Sequence, residues 1–348
     1  MQKYNFFLKY TNIWKIFRIF AADLEQKYMI SAILSSKEVE KTASFLESAR
    51  NIVIVTHMSP DGDAMGSSLG MKHYLQTQNS KFKIAVLVPN AFPSFLAWMP
   101  GAEEDIIYES QSQQADALIE AADLIILTDF HEPKRVGVLG DKILSALNGT
   151  QNVLIVDHHL ATIDVRDTFA NAKDLVTFIE PKSPSASELV YRLIYQLSTL
   201  NSQTPLNSKL YTLNLEAATC LYTGMMTDTG NFSFNSNYPE MYEIVSQLVA
   251  AGVNKDAIYN KVFNQYSVDR MRLMGYCLYQ KMRVFPEHHT ALIYLSRKEL
   301  YRFNFQSGDG EGLVNLPLQI SDVYYSVFMR EDKVNPSEVS LANGSKIK

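Results

Sequence analysis

Cysteine is nearly absent: the 348 residues contain two, Cys220 and Cys277, with no Cys-x-x-Cys spacing. That excludes a disulfide-built scaffold and a thiolate zinc site, and reads as two buried free thiols in a reducing, cytoplasmic setting. A surplus of positive charge is missing too. The 32 Lys and Arg stand against 37 Asp and Glu, a formal net charge of −5, so the chain has no broad basic face for gripping long duplex nucleic acid by counterion release. No run of about 20 apolar residues is present, as a membrane-crossing helix requires, and there are no internal repeats or low-complexity tracts. What remains is ordinary globular composition, 47% hydrophobic and 20% charged, in a chain long enough for two domains of about 100–200 residues each.

Against these absences stands a concentration of hard ligands behind apolar runs. The run Asn51 to Thr56 delivers His57-Met-Ser-Pro-Asp61-Gly-Asp63. A second, Asp123 to Leu127, ends in Asp129, and a third, Asn152 to Val156, ends in Asp157-His158-His159. A fourth segment, Gly224 to Gly230, contributes Asp228. Imidazoles and carboxylates without thiolates suit a hard-to-borderline divalent cation such as Mn²⁺ or Mg²⁺. About six such ligands predict a two-metal hydrolase centre that splits a phosphate ester, the ions roughly 3.5–4 Å apart.

The pattern predicts a helix over 37–49, strand 51–56, helix 64–77, and strands 82–88, 123–128 and 152–156. Continuous apolar strands alternating with helices imply an α/β fold, a parallel sheet with helices on both faces. Ligands of such sheets bind beyond the carboxyl ends of the strands, where His57, Asp129 and Asp157 fall. Helices over 185–199, 208–227, 239–251 and 255–263 follow. A linking helix over 264–282 then leads to strands 283–286 and 290–295, helix 297–303 and strand 322–329, a smaller α+β domain. Residues 1–28 are aromatic and carry Lys3, Lys9, Lys15 and Arg18. They read as a disordered or artefactual extension, with an amphipathic membrane-surface helix as the alternative.

In the His57, Asp61, Asp63 cluster, Gly62 lets the backbone turn so that both carboxylates point inward, and Asp63 is placed to cap the helix that follows. Two histidines behind a buried strand need partners: one imidazole can bind metal while Asp157 fixes its tautomer. His131 and Arg135 lie near enough to contact substrate, with a surface position as the alternative. Ser185 and Ser187 open a helix and read as caps, a start that also attracts phosphate. His73, on a helix, and His288-His289, in a turn, read as packed or solvated.

Together these motifs resemble the DHH phosphoesterase superfamily. Val88 to Gly101, Ser187 to Tyr191, Met226-Thr-Asp-Thr-Gly-Asn-Phe232 and Gly308-Asp-Gly-Glu-Gly-Leu-Val-Asn315 are similar to its bifunctional oligoribonuclease and 3′-phosphoadenosine 5′-phosphate phosphatase branch. The resemblance implies a catalytic domain over 29–235, a helical linker over 236–282 and a partial substrate-binding domain over 283–348. It implies that His57, Asp61, Asp63, Asp129, His158 and Asp228 hold two Mn²⁺ ions, Mg²⁺ or Co²⁺ being alternatives, with Asp129 and Asp228 serving both. His159 would then face the scissile phosphate and Asp157 would support it. Substrates would be RNA oligonucleotides of two to five residues or the nucleotide bisphosphate; a homodimer is left open. Relatives continue into an arginine-bearing strand and a glycine-rich GGGH loop that hold the nucleotide. This sequence stops at Gly344-Ser-Lys-Ile-Lys348 without them, which reads as a truncated product with a weakened substrate grip. A manganese inorganic pyrophosphatase and a cyclic or linear dinucleotide phosphodiesterase share such a centre, and an inactive nucleotide-binding protein is the reading from another class. Ser296-Arg-Lys-Glu299 resembles the pyrophosphatase signature superficially but reads as a helix cap and first turn.

Overall fold

The structure, a computed structural model, describes residues 30, 34–200, 213–306 and 308–331. The extension over 1–28, the beginning of the helix expected from 208, and the chain end at Gly344 to Lys348 lie outside the described residues. The chain divides into two compact units. One takes residues up to 58, 62–89 and 104–255; the other takes 59–61, 90–103 and 256 onward.

The first unit is built on a six-stranded sheet. Its elements are α1 (Ser36–Ser48), β1 (Asn51–Val55), α2 (Gly62–Gln78), β2 (Lys83–Val88), β3 (Ile106–Ile107), α3 (Tyr108–Glu120), β4 (Leu124–Thr128), α4 (Val138–Ala146), β5 (Asn152–Asp157), α5 (Val165–Thr168), β6 (Asp174–Ile179), α6 (Ala186–Leu200), α7 (Leu215–Asp228) and α8 (Pro239–Ala250). The strand order is β3-β2-β1-β4-β5-β6 with every pair parallel. β4 and β5 are buried at every position. Both sets of alternating side chains are covered: Val53, Ile125 and Ile155 join Ile119, Leu139 and Ile143 of the helices in one core, while Ile52, Ile54 and Leu154 are at most 1% exposed on the other face. Strands buried on both faces require such uninterrupted apolar runs.

Register decides where the chemistry emerges. Val55 lies beside Leu127, and Thr128 beside Val156. The carboxyl ends of β1, β4 and β5 are therefore level, and the segments beginning at His57, Asp129 and Asp157 leave the sheet at one edge. The chain crosses back from β3 to β4 between these strands, the kind of switch point where open α/β sheets bind ligands.

Part of this unit carries no strong signature in the sequence. β3, β6, α3, α4 and α5 were not expected. β6 is an edge strand of alternating burial, and α3 is rich in Gln, Ser and Glu with two fully buried side chains, so neither carries the long apolar signature of the central strands.

The second unit holds most of α9 (Lys255–Phe263), then α10 (Val268–Tyr276), β7 (Arg283–Phe285), β8 (Thr290–Leu295), α11 (Arg297–Arg302) and β9 (Tyr325–Arg330). Its sheet runs β7-β8-β9, antiparallel then parallel, over a small core of Leu273, Cys277, Ile293, Leu295 and Leu313. The single linking helix expected over 264–282 is shorter: Ser267 caps Arg270 N at 3.0 Å, and a π turn over Cys277–Lys281 ends it. Ser296 and Glu299 form a reciprocal capping box, as the sequence suggested. Both cysteines are buried and neither forms a disulfide. Among the described residues no helix is long and apolar enough to cross a membrane.

Candidate metal centre

Three overlapping groups of ligand atoms gather at the level strand ends, each within 4.8 Å: Asp129, His158 and His159; His57, Asp61 and Asp129; Asp63, His158 and Asp228. The six residues singled out as ligands all fall in them, and so does His159. Asp61 clusters with the second unit but is tethered four residues after His57 and two before Asp63 in the loop from β1 to α2. Asp129 and His158 each belong to two groups, and Asp228 to one.

The backbone presents these side chains in unusual ways. Asp129 has φ of +64°, a left-handed conformation that Asp tolerates better than most residues and that clusters at functional sites. Its N–H donates to Val156 O at 2.9 Å, so the β4–β5 ladder continues through the turn. Asp228 is the last residue of α7, where the helix dipole disfavours a carboxylate. Immediately after it, Gly230, Asn231 and Phe232 all have positive φ, at 55°, 58° and 61°, reversing the chain. Thr229 braces that turn: its hydroxyl donates to Met225 O at 2.6 Å and accepts from Phe232 N at 2.9 Å.

The histidine rings are oriented by their second nitrogens. His57 Nδ1 lies 2.9 Å from Met58 O and His158 Nδ1 3.2 Å from Ser183 O. A carbonyl only accepts, so both Nδ1 atoms carry the proton and both Nε2 atoms are aimed at carboxylates. His57 Nε2 is 3.2 Å from Asp129 Oδ2. His158 Nε2 is 3.3, 3.4 and 3.8 Å from Asp129, Asp228 and Asp63. Fixing Nδ1–H on a carbonyl leaves Nε2 as the lone-pair donor that a metal ligand needs. Asp129 Oδ1 is buried and faces His158 Nε2 at 3.3 Å and His159 Nδ1 at 3.6 Å. A buried carboxylate, two imidazoles aimed at it and a second carboxylate at a helix C-terminus together form a donor set that fits a divalent cation.

Protonation in the metal-free protein follows the same geometry. Burial alone would raise Asp129, but hydrogen bonds from His158 and His57 outweigh it and hold the carboxyl far below its usual range. Burial would lower His158, yet the hydrogen bond to Asp129 and the charges of Asp63, Asp129 and Asp228 push it up to about 10. Burial, then the neighbouring Asp129 and Asp228, raise Asp63 well above normal.

Two expectations require correction. Asp63 does not cap its own helix, which already begins at Gly62. Its Oδ2 instead accepts from Ala186 N at 2.6 Å and its Oδ1 from Ser187 N at 2.9 Å, because the unsatisfied N–H groups at the start of α6 draw the buried carboxylate. His131 is not at the surface. It is 2% exposed, and its Nδ1 is hydrogen-bonded to Asp157 Oδ2. Asp157 Oδ1 accepts from His159 N at 3.1 Å and holds His159 Nδ1 at 2.8 Å. One fully buried carboxylate thus joins two imidazoles, a link of 26 residues in sequence that no local motif signals. Burial would raise Asp157, but the hydrogen bonds from His159 and His131 prevail and lower it. Ser185 acts as a cap, its Oγ accepting from Glu188 N at 3.1 Å. Arg135 is half-buried, and its carbonyl accepts from Met58 N at 2.8 Å. His73 is half-buried on α2, and His288 and His289 are exposed.

Comparison with known proteins places this geometry. The chain is 40% identical to an exopolyphosphatase-related protein from Bacteroides fragilis of known crystal structure, with a TM-score of 0.76, covering 87% of this chain and 82% of that one. It is 31% identical over 229 residues to the bifunctional oligoribonuclease and PAP phosphatase NrnA of Thermus thermophilus, covering 65% of this chain and 58% of that relative's length. A probable bifunctional oligoribonuclease and PAP phosphatase NrnA from Streptococcus mutans is 26% identical over 282 residues, 80% of this chain and 77% of the relative. Residues 51–225 match the N-terminal domain of the DHH family. The chain belongs to the DHH family, on the branch whose relatives bear the name bifunctional oligoribonuclease and PAP phosphatase.

Proposed function

We propose that this chain is a metal-dependent phosphoesterase of the cytoplasm that hydrolyses short oligoribonucleotides and 3′-phosphoadenosine 5′-phosphate with two divalent cations, Mn²⁺ in first place. The observation that carries the reading is the set of three interlocking ligand groups, with the buried Asp129 common to two of them. His57, Asp61 and Asp129 would hold one ion; Asp63, His158 and Asp228, with Asp129 shared, the other. Bound there, the ions would supply an activated water near neutral pH and charge compensation for the phosphate. The names of the relatives support the substrate classes, and the net charge of −5 favours a short ligand held locally over a long duplex.

The chain's own residues would do the rest. Asp157 holds His159 by Nδ1 and by its backbone N–H, which leaves Nε2 of a ring 37% exposed to meet the phosphate or the leaving oxygen. His131 occupies the other oxygen of Asp157 and keeps that carboxylate from turning. General acid assistance from a histidine so placed contributes about 10²–10⁴ in rate. The deciding experiment offers purified protein with Mn²⁺ four substrates: dinucleotide RNA, 3′-phosphoadenosine 5′-phosphate, pyrophosphate and a cyclic dinucleotide. Turnover of the first two, abolished by EDTA and restored by Mn²⁺, is expected. Turnover of pyrophosphate or the cyclic dinucleotide alone would refute the substrate assignment, and indifference to EDTA would refute the metal mechanism.

A further inference from the structure

α2, α6 and α7 approach one another closely where Asp63 sits. A Cβ on Gly224 would lie 1.9 Å from Ser187 Oγ and 2.8 Å from Asp63 Oδ1, and one on Gly66 would lie 2.7 Å from the carbonyl of Cys220 and from Gly224 Cα. Only glycine permits such an approach of helix to helix. Its effect is to bring the first two peptide N–H groups of α6 onto a carboxylate 123 and 124 residues away, one on each oxygen. Asp63 is 1% exposed, so water does not compete for these donors. Oδ2 is shared: Ala186 N lies 2.6 Å away and His158 Nε2 3.8 Å away.

We infer that the first turn of α6 is a positioning element for the metal-facing carboxylate of Asp63, acting through the peptide N–H groups of Ala186 and Ser187. A carboxylate held by both oxygens cannot rotate about its Cβ–Cγ bond, so the lone pair of Oδ2 not used by Ala186 stays directed toward the space it shares with His158 and Asp228. The orienting groups are main-chain atoms, which explains why no residue type announced them. Ser185, capping Glu188 N, keeps that turn helical and its N–H groups parallel. Outer partners of this sort hold metal ligands in geometry, and their loss typically costs about 10–100-fold in metal affinity. The inference rests on the proposed two-metal reading.

The test removes one N–H without altering the side chains. In the full chain, lactic acid in place of Ala186 converts the preceding peptide bond to an ester, which has the shape of the amide and no donor. Calorimetric titration with Mn²⁺ is expected to show one of two sites weakened about 10–100-fold, with the other site and the far-UV circular dichroism unchanged. Two isotherms alike within threefold would overturn the inference. Should the ester chain fail to fold, the unmodified protein decides: the Ala186 and Ser187 amide resonances must shift on titration with diamagnetic Mg²⁺, and fixed resonances at saturating metal would overturn it. An unmodified chain that binds neither cation would instead refute the two-metal reading itself, and this inference with it.

Discussion

Replacing His131 with leucine would isolate the contact between two side chains that are 2% and 0% exposed. Leucine fills a similar volume, so the cavity contribution is small and the change is electrostatic: Oδ2 of Asp157 loses its donor inside the protein. Removing one partner of a buried pair costs about 3–5 kcal/mol. Asp157 Oδ1 keeps both contacts with His159, which brings the cost below that range, to about 2–3 kcal/mol. For a unit of this size that corresponds to a melting temperature lower by roughly 4–12 °C. Urea denaturation of the metal-free protein at pH 7.5 measures it. Adding Asp157→Asn to His131→Leu removes the stranded charge, so the double variant should be more stable than the sum of the single effects by at least about 1 kcal/mol. The pH dependence has a definite sign. The folded-state pKa of Asp157 lies below its ordinary value, so its contribution is present above the unfolded pKa and lost as pH falls through the folded one. The deficit of His131→Leu should be full at pH 7 and shrink below about pH 4. A cost under about 0.5 kcal/mol, or effects additive to within that margin, would refute the role assigned to the His131–Asp157 contact.

Three further outcomes are expected. Asp129→Asn, which tolerates φ of +64° nearly as well as Asp, should fold normally yet lose both ions together. Mass spectrometric metal analysis showing two ions per chain would count against the shared carboxylate. His158→Ala should lose metal, whereas His159→Ala should retain it and lose about 10²-fold or more in kcat; equal metal content in the two variants would contradict the separation. In the metal-free protein His158 is raised to about 10. Its stabilising contribution is therefore full below the unfolded value near 6.5 and is lost as pH rises through about 10. Metal must displace that proton, so binding at pH 7–8 should release about one proton, read as a dependence of calorimetric heat on buffer ionisation enthalpy; no dependence would refute it.

The strands that carry the centre were legible because burial on both faces demands unbroken runs such as Asn152 to Val156, and because a ligand at the end of such a run has few other reasons to be there. β6 was not legible: Asp174 and Thr177 interrupt it, as the edge of a sheet allows. α3 and α4 were missed because a helix covering a sheet needs only a narrow apolar stripe. The residues that gather at the candidate centre stand in local motifs, whereas the contacts that position them do not. Asp63 meets main-chain donors across 123 residues, and His131 meets Asp157 across 26. Such pairings are properties of register and helix packing. The left-handed backbone at Asp129 and Phe232 was equally hidden, since neither residue type requires it.

The level strand ends have a practical counterpart at the opposite edge of the sheet. There the chain enters β2 and β5 through Asn79 to Phe82 and Asn148 to Gln151, loops whose residues Lys81, Asn148, Gly149 and Thr150 are exposed. Asp123 ties this edge together by accepting from the N–H groups of both Arg50 and Asn51 at 2.8 Å. A parallel sheet thus separates attachment from chemistry by the full length of its strands. A fluorophore, a surface tether or an inserted peptide placed at Lys81 or Gly149 would leave the edge that bears the candidate centre undisturbed, making these loops the natural handles for immobilised or single-molecule study of the protein.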